Sequence, residues 1–511
     1  MDSLNLSIPT QHDLNDPTVE RDVARLRHWL TNLPLMDVVE TVRLVNAALD
    51  ALNEQKLAAA ERFRHLEVYR DTAQRLFVTV DPVHLRQLTL GKSQRQEAID
   101  GVEQLLQGIA GGYKLIVVEL HQATGSAVPD PLLGLAINRS IEQLGYSLLD
   151  SYRFYRGPQP RLIAESHQLY RLARHHGLLG SVVDEPDEQG PPVSVAMHYH
   201  ASMLLSLTDP YRLAEGEVGL LHEVLVQHAS TCRVIPGSSW VGDGEGYFLL
   251  ELDTDALPKP CSTLQQPVTV KDPYLLDATV ALAAVRARLA KTPAKVRRQS
   301  PEAMVLRRLL PESQGRDLRR EQRNSDDRWV SLLFGVDGIH AYLARDTRRA
   351  SGQSARSVNG LDEVIACRVL DSSNSGMKLA WKGAAAGDAR VGDLLGIIDE
   401  QGRGQALTLA VIRSVRVSRD GAAEAGVESM PGGLGAVTVF AAGQPAGAGV
   451  DALFMPASEA EQISATLVTA KGFYEQNRPM LIDVGGREVN ARAGRLVLDS
   501  PVFDRFEFSA E

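Results

Sequence analysis

The sequence predicts a multidomain α+β protein in which a helical N-terminal region precedes a β-rich C-terminal region. Three observations support this prediction. Apolar residues recur every three or four positions through much of residues 18–180, which is the spacing of one helix face. From Trp329 onward, short apolar or alternating segments are separated by glycines, a pattern typical of β-barrels. A segment rich in arginine, residues 286–323, lies between the two regions.

The first predicted domain, residues 1–183, consists of amphipathic helices. Its clearest helix face has a 4-3-4-3 spacing and consists of Val38, Val42, Val45, Leu49 and Leu52. The run 114–120 is rich in β-branched residues, which is compatible with a strand, but its neighbours favour a helix. Short breaks between the periodic segments indicate helices that pack antiparallel to one another.

The second predicted domain, residues 193–315, follows an acidic, proline-rich link at 184–192. It is mostly helical with short strand elements, one of them at 247–252. The glycines before that strand lack a following Lys-Ser/Thr and do not open a helix, so they predict a plain turn. Residues 286–323 then hold twelve lysines and arginines against four acidic residues.

The third predicted domain, residues 316–425, is a β-barrel, and residues 426–511 form a β-rich C-terminal extension. Frequent glycines and alternating apolar residues carry both predictions. The expected strands of this half of the chain include 329–334, 364–370, 377–381, 393–398, 406–418 and 435–440, with later ones near Leu481 and Val497.

Composition limits the functional classes. At 511 residues the chain is long enough for several domains, and its 44% hydrophobic and 23% charged content is ordinary for a soluble globular protein. The net charge of −10 argues against a nucleic-acid partner for the whole molecule. Three scattered cysteines fit a reducing cytosol. With neither a signal-peptide pattern nor a long apolar run, we expect a cytoplasmic protein without membrane insertion.

The most informative motif is Asp-x-Ser-x-x-Gly, formed by Asp371, Ser373 and Gly376 between two predicted strands. The carboxylate is an acceptor that can bridge the N1–H and N2–H₂ donors of a guanine. The spacing predicts a turn that presents the carboxylate and the hydroxyl together. We expect Gly376 to supply a positive φ, which other residues adopt only at a cost.

This motif resembles the second half of the nucleotide signature of PilZ domains, bacterial receptors for cyclic di-GMP. The resemblance covers about residues 315–425 and implies an upstream Arg-x-x-x-Arg segment that binds the ligand's phosphates and guanines. Two sets of arginines fit. The family's order along the chain favours Arg319 and Arg323, with Arg320 as a helper. The family's shorter distance to the aspartate is met instead by Arg345 and Arg349.

The layout as a whole resembles the FimW-type receptors of pseudomonads, with a long helical region before a PilZ-like domain. That resemblance implies a cyclic-di-GMP receptor whose helical region carries the output through a protein partner, in surface attachment by type IV pili. We expect no cofactor and no metal, because the histidine spacings build no credible metal site. We expect no enzyme either, since no catalytic motif is present in the sequence.

Two other classes remain open at this stage. One is a helical scaffold protein whose β-barrel binds a protein partner without nucleotide. The other is a nucleic-acid binder that uses residues 286–323. The basic segment lacks interleaved aromatic residues, and the chain is acidic overall, which disfavours the second class.

Overall fold

The structure is a computed structural model. It describes residues 4–12, 16–17, 19–124, 130–183, 192–237, 244–263, 273–293, 303, 324–350, 364–383, 386–399, 406–441, 449–457 and 464–510. The chain divides into two compact units. The helical unit comprises Met1–Pro210 and Glu215–Leu318, and the β unit comprises Tyr211–Ala214 and Arg319–Glu511. The predicted fold class, a helical region followed by β-barrels and extra strands, is confirmed.

The helical unit is built mainly from α-helices, which range in length from the 4 residues of Pro82–Leu85 to the 33 residues of Lys92–Thr124. None of the helices in the described part of the chain combines the length and hydrophobicity that crossing a bilayer requires. The helices are α1 (Val23–Thr31), α2 (Val38–Glu54), α3 (Ala59–Thr79), α4 (Pro82–Leu85), α5 (Lys92–Thr124), α6 (Pro131–Arg153), α7 (Leu162–His175), α8 (Val195–Ser206), α9 (Glu217–Ala229) and α10 (Thr279–Lys291).

Helix α2 shows why the periodicity was informative. All five residues of the predicted face are buried, and Asp37 caps the helix by accepting a hydrogen bond from the Glu40 N–H at 3.1 Å. The ambiguous run 114–120 lies inside α5, so the preference for a helix was correct. Its β-branched residues Ile116 and Val117 are fully buried in the helix bundle, where packing outweighs their strand propensity.

A buried ionic network ties three helices of this bundle together. Arg139 on α6 donates to both carboxylate oxygens of Glu67 on α3, at 3.0 and 2.9 Å, and to Glu142 at 3.1 Å. Tyr113 on α5 donates its hydroxyl hydrogen to the same Glu67. Because a buried charge without partners is strongly destabilising, the network fixes the relative positions of α3, α5 and α6.

A small antiparallel sheet completes the helical unit. It contains β1 (Arg233–Pro236), β2 (Tyr247–Leu250), β3 (Lys259–Pro260) and β4 (Tyr274–Asp277), in the order β1-β4-β2-β3. The strand predicted at 247–252 corresponds to β2. The glycines that lie within the described residues before it, Gly244 and Gly246, have φ values of 81° and 78°, as in a turn.

The β unit begins with a closed six-stranded barrel. Its strands are β6 (Trp329–Phe334), β7 (Ile365–Ser372), β8 (Gly376–Lys382), β9 (Leu394–Asp399), β10 (Ala406–Val417) and β11 (Ala422–Met430), and the short β5 (Asn324–Ser325) extends it. The pairing β6-β7-β8-β11-β10-β9 returns to β6, so the sheet closes on itself. We call this the first barrel.

A second closed barrel follows, with the order β12-β13-β14-β17-β16-β15. It consists of β12 (Gly435–Ala441), β13 (Val450–Met455), β14 (Thr466–Ala470), β15 (Pro479–Val484), β16 (Arg487–Asp499) and β17 (Phe503–Ala510). The C-terminal extension predicted at 426–511 contains this entire barrel. The expected boundary between 425 and 426 lies within β11.

Helix α11 (Gly335–Ala350) connects β6 to the segment before β7 and packs against both barrels. Its apolar residues Val336 and Ile339 share one core with Leu333 of the first barrel and Leu453 of the second. His340 adds a polar contact, with its Nδ1 atom 3.3 Å from a carboxylate oxygen of Asp451. The two barrels therefore share a hydrophobic core.

Candidate ligand-binding site

The Asp-x-Ser-x-x-Gly motif forms the hairpin that joins β7 to β8, as the sequence predicted. Asp371 pairs with Lys378 and Ser372 pairs with Met377 across the hairpin. The Ser373 N–H donates to the Gly376 carbonyl at 2.8 Å, and the Ser373 hydroxyl approaches the same oxygen at 3.3 Å. Ser373 therefore closes the turn with both its backbone and its side chain.

The expected reason for glycine at position 376 was wrong. Gly376 does not have a positive φ, because its backbone is that of an ordinary strand residue paired with Glu428 of β11. A Cβ placed on it would lie 2.2 Å from the carbonyl oxygen of Val427, far inside van der Waals contact. Glycine is required because the β11 backbone passes too close for any side chain, which is a packing constraint.

The Asp371 side chain lies on the outer surface of the first barrel. Along β7, the residues Cys367 and Val369 are fully buried in the barrel interior, and Arg368 lies outside. A bulge follows Val369, so that Asp371 pairs with Lys378, while its neighbour Ser372 pairs with the buried Met377. Because paired residues share a face, the bulge returns Asp371 to the outer face.

The short strand β5 lies alongside the motif. Asn324 pairs with Ser372, and Ser325 pairs with Asp371. The next residue, Asp326, accepts a hydrogen bond from the Ser372 hydroxyl at 3.0 Å. Arg328 ion-pairs with Asp326 at 3.6 Å and with Asp399 at 3.7 Å, which anchors the segment between β5 and β6. The chain therefore enters the barrel directly beside the motif strand.

The structure describes one of the two predicted sets of arginines. Arg319, Arg320 and Arg323 lie outside the described residues, and Asn324 is the residue that follows Arg323. Arg345 lies on α11 and is half-buried, and Arg349 lies in the last turn of the same helix. Helix α11 begins directly after β6, whose last residues lie beside Ile365, the first residue of β7. The motif turn follows the last residue of β7, so α11 begins at the other end of this strand.

Two exposed residues beside the motif were not singled out from the sequence. Trp329 and Arg368 face each other as a cross-strand pair on the outer surface, and Trp329 is 58% exposed. Arg368 ion-pairs with Asp327, and the hydrogen bond that it donates lowers the pKa of that carboxyl. The strand alternation of β6, with Val330 and Leu332 buried, was the signal that could have placed Trp329 outside.

The described cysteines and histidines form neither a reactive thiolate nor a group that could bind a metal. Burial raises the pKa of the Cys232 and Cys367 thiols to about 12 and that of Cys261 to about 11, so each stays protonated at neutral pH. Within the described ranges, His, Cys, Asp and Glu nowhere form a group of three or more that could hold a metal ion.

One cavity in the helical unit has a volume of about 400 Å³ and lies beneath the N-terminal residues 7–9. Its lining includes Lys114 and Glu165, which are both buried and ion-pair at 2.7 Å. The second carboxylate oxygen of Glu165 accepts a hydrogen bond from the Ser7 N–H at 2.7 Å. These charges already stabilise each other and the N-terminal segment, so we assign them a structural role.

Comparisons with known proteins agree with the architecture. Residues 24–237 match a family model for the N-terminal domain of the cyclic-di-GMP receptor FimW. Residues 341–431 match the model for its middle PilZ domain, and residues 436–510 match the model for its C-terminal β-barrel domain. The cyclic-di-GMP receptor FimW of Pseudomonas aeruginosa is 24% identical over an alignment 585 positions long, which covers 99% of this chain and 94% of that protein.

Proposed function

The chain belongs to the FimW family of PilZ-domain proteins, and we propose that it is a receptor that binds cyclic di-GMP on the outer surface of its first barrel. The observation that carries the proposal is the placement of Asp371. The hairpin and its bulge put this carboxylate on the outer face of a PilZ barrel, in the motif position that accepts hydrogen bonds from guanine. A PilZ domain is a binding domain, which is consistent with a receptor without catalysis.

The arginines that complete the site are proposed to be Arg319 and Arg323, with Arg320 assisting. The pairing of Asn324 with Ser372 supports this choice, because β5 begins at the residue after Arg323 and pairs with the turn end of the motif strand. Guanidinium groups suit the ligand, since they bind phosphate with two hydrogen bonds and stack on base planes. The match to the PilZ model begins at residue 341 and includes Arg345 and Arg349 instead, so the second set remains the alternative.

The output is proposed to lie in the helical unit. The basic segment 286–323 links α10 of that unit to β5 in the sequence, and the phosphates of the ligand would neutralise part of its charge. Ligand binding can act on the helical unit only if the ligand favours one state of this segment over another. The role proposed for the protein is control of surface attachment by type IV pili, exerted in the cytoplasm through a protein partner of the helical unit.

The direct test is a calorimetric titration of the full-length chain with cyclic di-GMP, with GTP as the control. We expect binding in the micromolar range or tighter for cyclic di-GMP and much weaker binding for GTP. GTP carries the same base but lacks the second guanine and the cyclic diester. A folded protein that releases no heat at high cyclic-di-GMP concentration would refute the receptor proposal.

A further inference from the structure

We propose that Trp329 and Arg368 form a second contact surface for the ligand, in which the indole ring stacks on a guanine and the guanidinium binds its O6 and N7 atoms or a phosphate. This inference rests on the proposed function. It adds two residues outside the Asp-x-Ser-x-x-Gly and arginine motifs to the same site.

The register of the barrel places these side chains beside the motif. Trp329 pairs with Arg368, and Arg368 pairs with Ala380, so the three form one row across β6, β7 and β8. The next row towards the turn consists of Ser325, Asp371 and Lys378. Rows on one face of a sheet are separated by two residues, or about 7 Å, and the bulge adds to this. One cyclic dinucleotide with two bases can span that distance.

Trp329 is a large aromatic side chain that is exposed on the outer face of β6. The outer face of β6 also carries Leu333, which is 2% exposed because α11 covers it with Val336 and Ile339. At the other end of the strand, Trp329 remains 58% exposed. A large aromatic ring that is left open on a strand beside a guanine-binding motif is suited to base stacking, since every base presents a π face.

Arg368 is held in a contact that a ligand can replace. Its partner Asp327 is 72% exposed and Arg368 itself is 50% exposed. An ion pair of this kind contributes little stability in water, so exchange of Asp327 for a phosphate or guanine costs little. On the other side of Arg368, the small side chain of Ala380 leaves room for a flat base.

The first test compares the affinity of the full-length chain for cyclic di-GMP in Trp329→Leu and Trp329→Phe variants. We expect Trp329→Leu to weaken binding about five- to a hundredfold, the range for loss of one stacked base. Trp329→Phe keeps an aromatic face and should retain most of the affinity. Trp29→Leu, which removes a 36% exposed tryptophan of the helical unit, is the matched control and should bind like wild type.

The second test uses the ion pair, where only the substitution of the arginine should weaken binding. Arg368→Gln removes the guanidinium and should weaken binding at least several-fold. Asp327→Asn removes the competing carboxylate while keeping its size, so affinity should be unchanged or rise several-fold. If neither variant altered affinity, Arg368 would have no contact with the ligand and this part of the proposal would fail.

The outcomes separate this inference from the receptor proposal. If wild type does not bind cyclic di-GMP, the proposed function fails and the inference fails with it. If wild type binds and Asp371→Ala does not, while Trp329→Leu and Arg368→Gln bind like wild type, the receptor stands and the second contact surface is refuted. Circular dichroism of each variant shows whether it is folded, and the Phe variant provides the comparison if the Leu variant is not.

Discussion

Ser325 lies directly opposite Asp371 in the antiparallel pairing of β5 with β7. This pair joins the start of the barrel to its ligand motif, although the two residues are far apart in the sequence. It means that the start of β5 lies next to the strand position that carries the motif carboxylate. Substitutions in the two sets of arginines can therefore test which set contributes to the site.

The arginines upstream of β5 should matter more than those on α11. Arg319→Ala and Arg323→Ala are each expected to weaken cyclic-di-GMP binding by about 1–3 kcal/mol, the range for hydrogen bonds to charged groups. Arg345→Ala and Arg349→Ala serve as the comparison and should change affinity little. Calorimetry decides between them. Loss of binding in the second pair alone would transfer the role to α11 and leave the receptor proposal intact.

Asp371→Asn distinguishes a ligand contact from a turn residue. Asparagine forms the same kinds of turn, so the melting temperature without ligand should stay unchanged. Its amide donor would face the donors of guanine, so ligand-induced stabilisation should largely disappear. For wild type that stabilisation is about 2.7 kcal/mol when the ligand concentration is a hundred times Kd. A variant that ligand stabilises as much as wild type would contradict the role of Asp371.

Gly376→Ala should disrupt the hairpin. The added methyl group would meet the Val427 carbonyl oxygen, so either β8 or β11 must shift, and we expect a loss of about 1–3 kcal/mol of stability. Gly387→Ala is the matched control in the same barrel, because a Cβ there meets nothing within 4 Å. Thermal unfolding measures both. Equal melting temperatures for the two variants would show that the backbones are not held as close as the structure has them.

Two buried histidines should make the helical unit sensitive to acid. Burial lowers the pKa of His167 and of His200 to about 4 from the ordinary value of 6.5. Between these values the unfolded chain binds protons that the folded chain does not, so stability falls as the pH falls from about 6.5 to about 4. The loss is on the order of 3 kcal/mol for each histidine.

Denaturant unfolding followed by the helical circular-dichroism signal, at several pH values, measures this dependence. His200→Gln removes one titrating group and should therefore give a shallower slope against pH, whatever its effect on stability at neutral pH. Unfolding free energies that stay constant from pH 7 to pH 4.5 would show that neither histidine is held neutral in the folded state.

The sequence predicted well those elements in which the spacing of apolar residues is compatible with only one type of secondary structure. The 4-3-4-3 spacing of α2 buries a single helix face, and the alternation of β6 buries Val330 and Leu332. The motif hairpin was also placed correctly, because a polar turn between two apolar strands leaves few alternatives. In each case local spacing determines which side chains reach the core.

The features that were missed depend on register and on contacts between distant strands. The requirement for glycine at 376 arises from Val427, about fifty residues away in the chain, and so it was attributed to local backbone conformation instead. The bulge after Val369 and the pairing of Trp329 with Arg368 are likewise set by strand register. The alternation within one strand shows which residues face outward, but it does not show which residue of a distant strand lies opposite each of them.

The core that α11 shares with both barrels has a practical consequence for dissecting the chain. A cut after β11 would separate the segments that match the PilZ and C-terminal models, but it would also uncover Leu333, Val336 and Ile339 on one fragment and Leu453 on the other. Newly exposed apolar surfaces of this kind favour aggregation. Soluble truncations should therefore keep both barrels together, from before β5 to the end of β17.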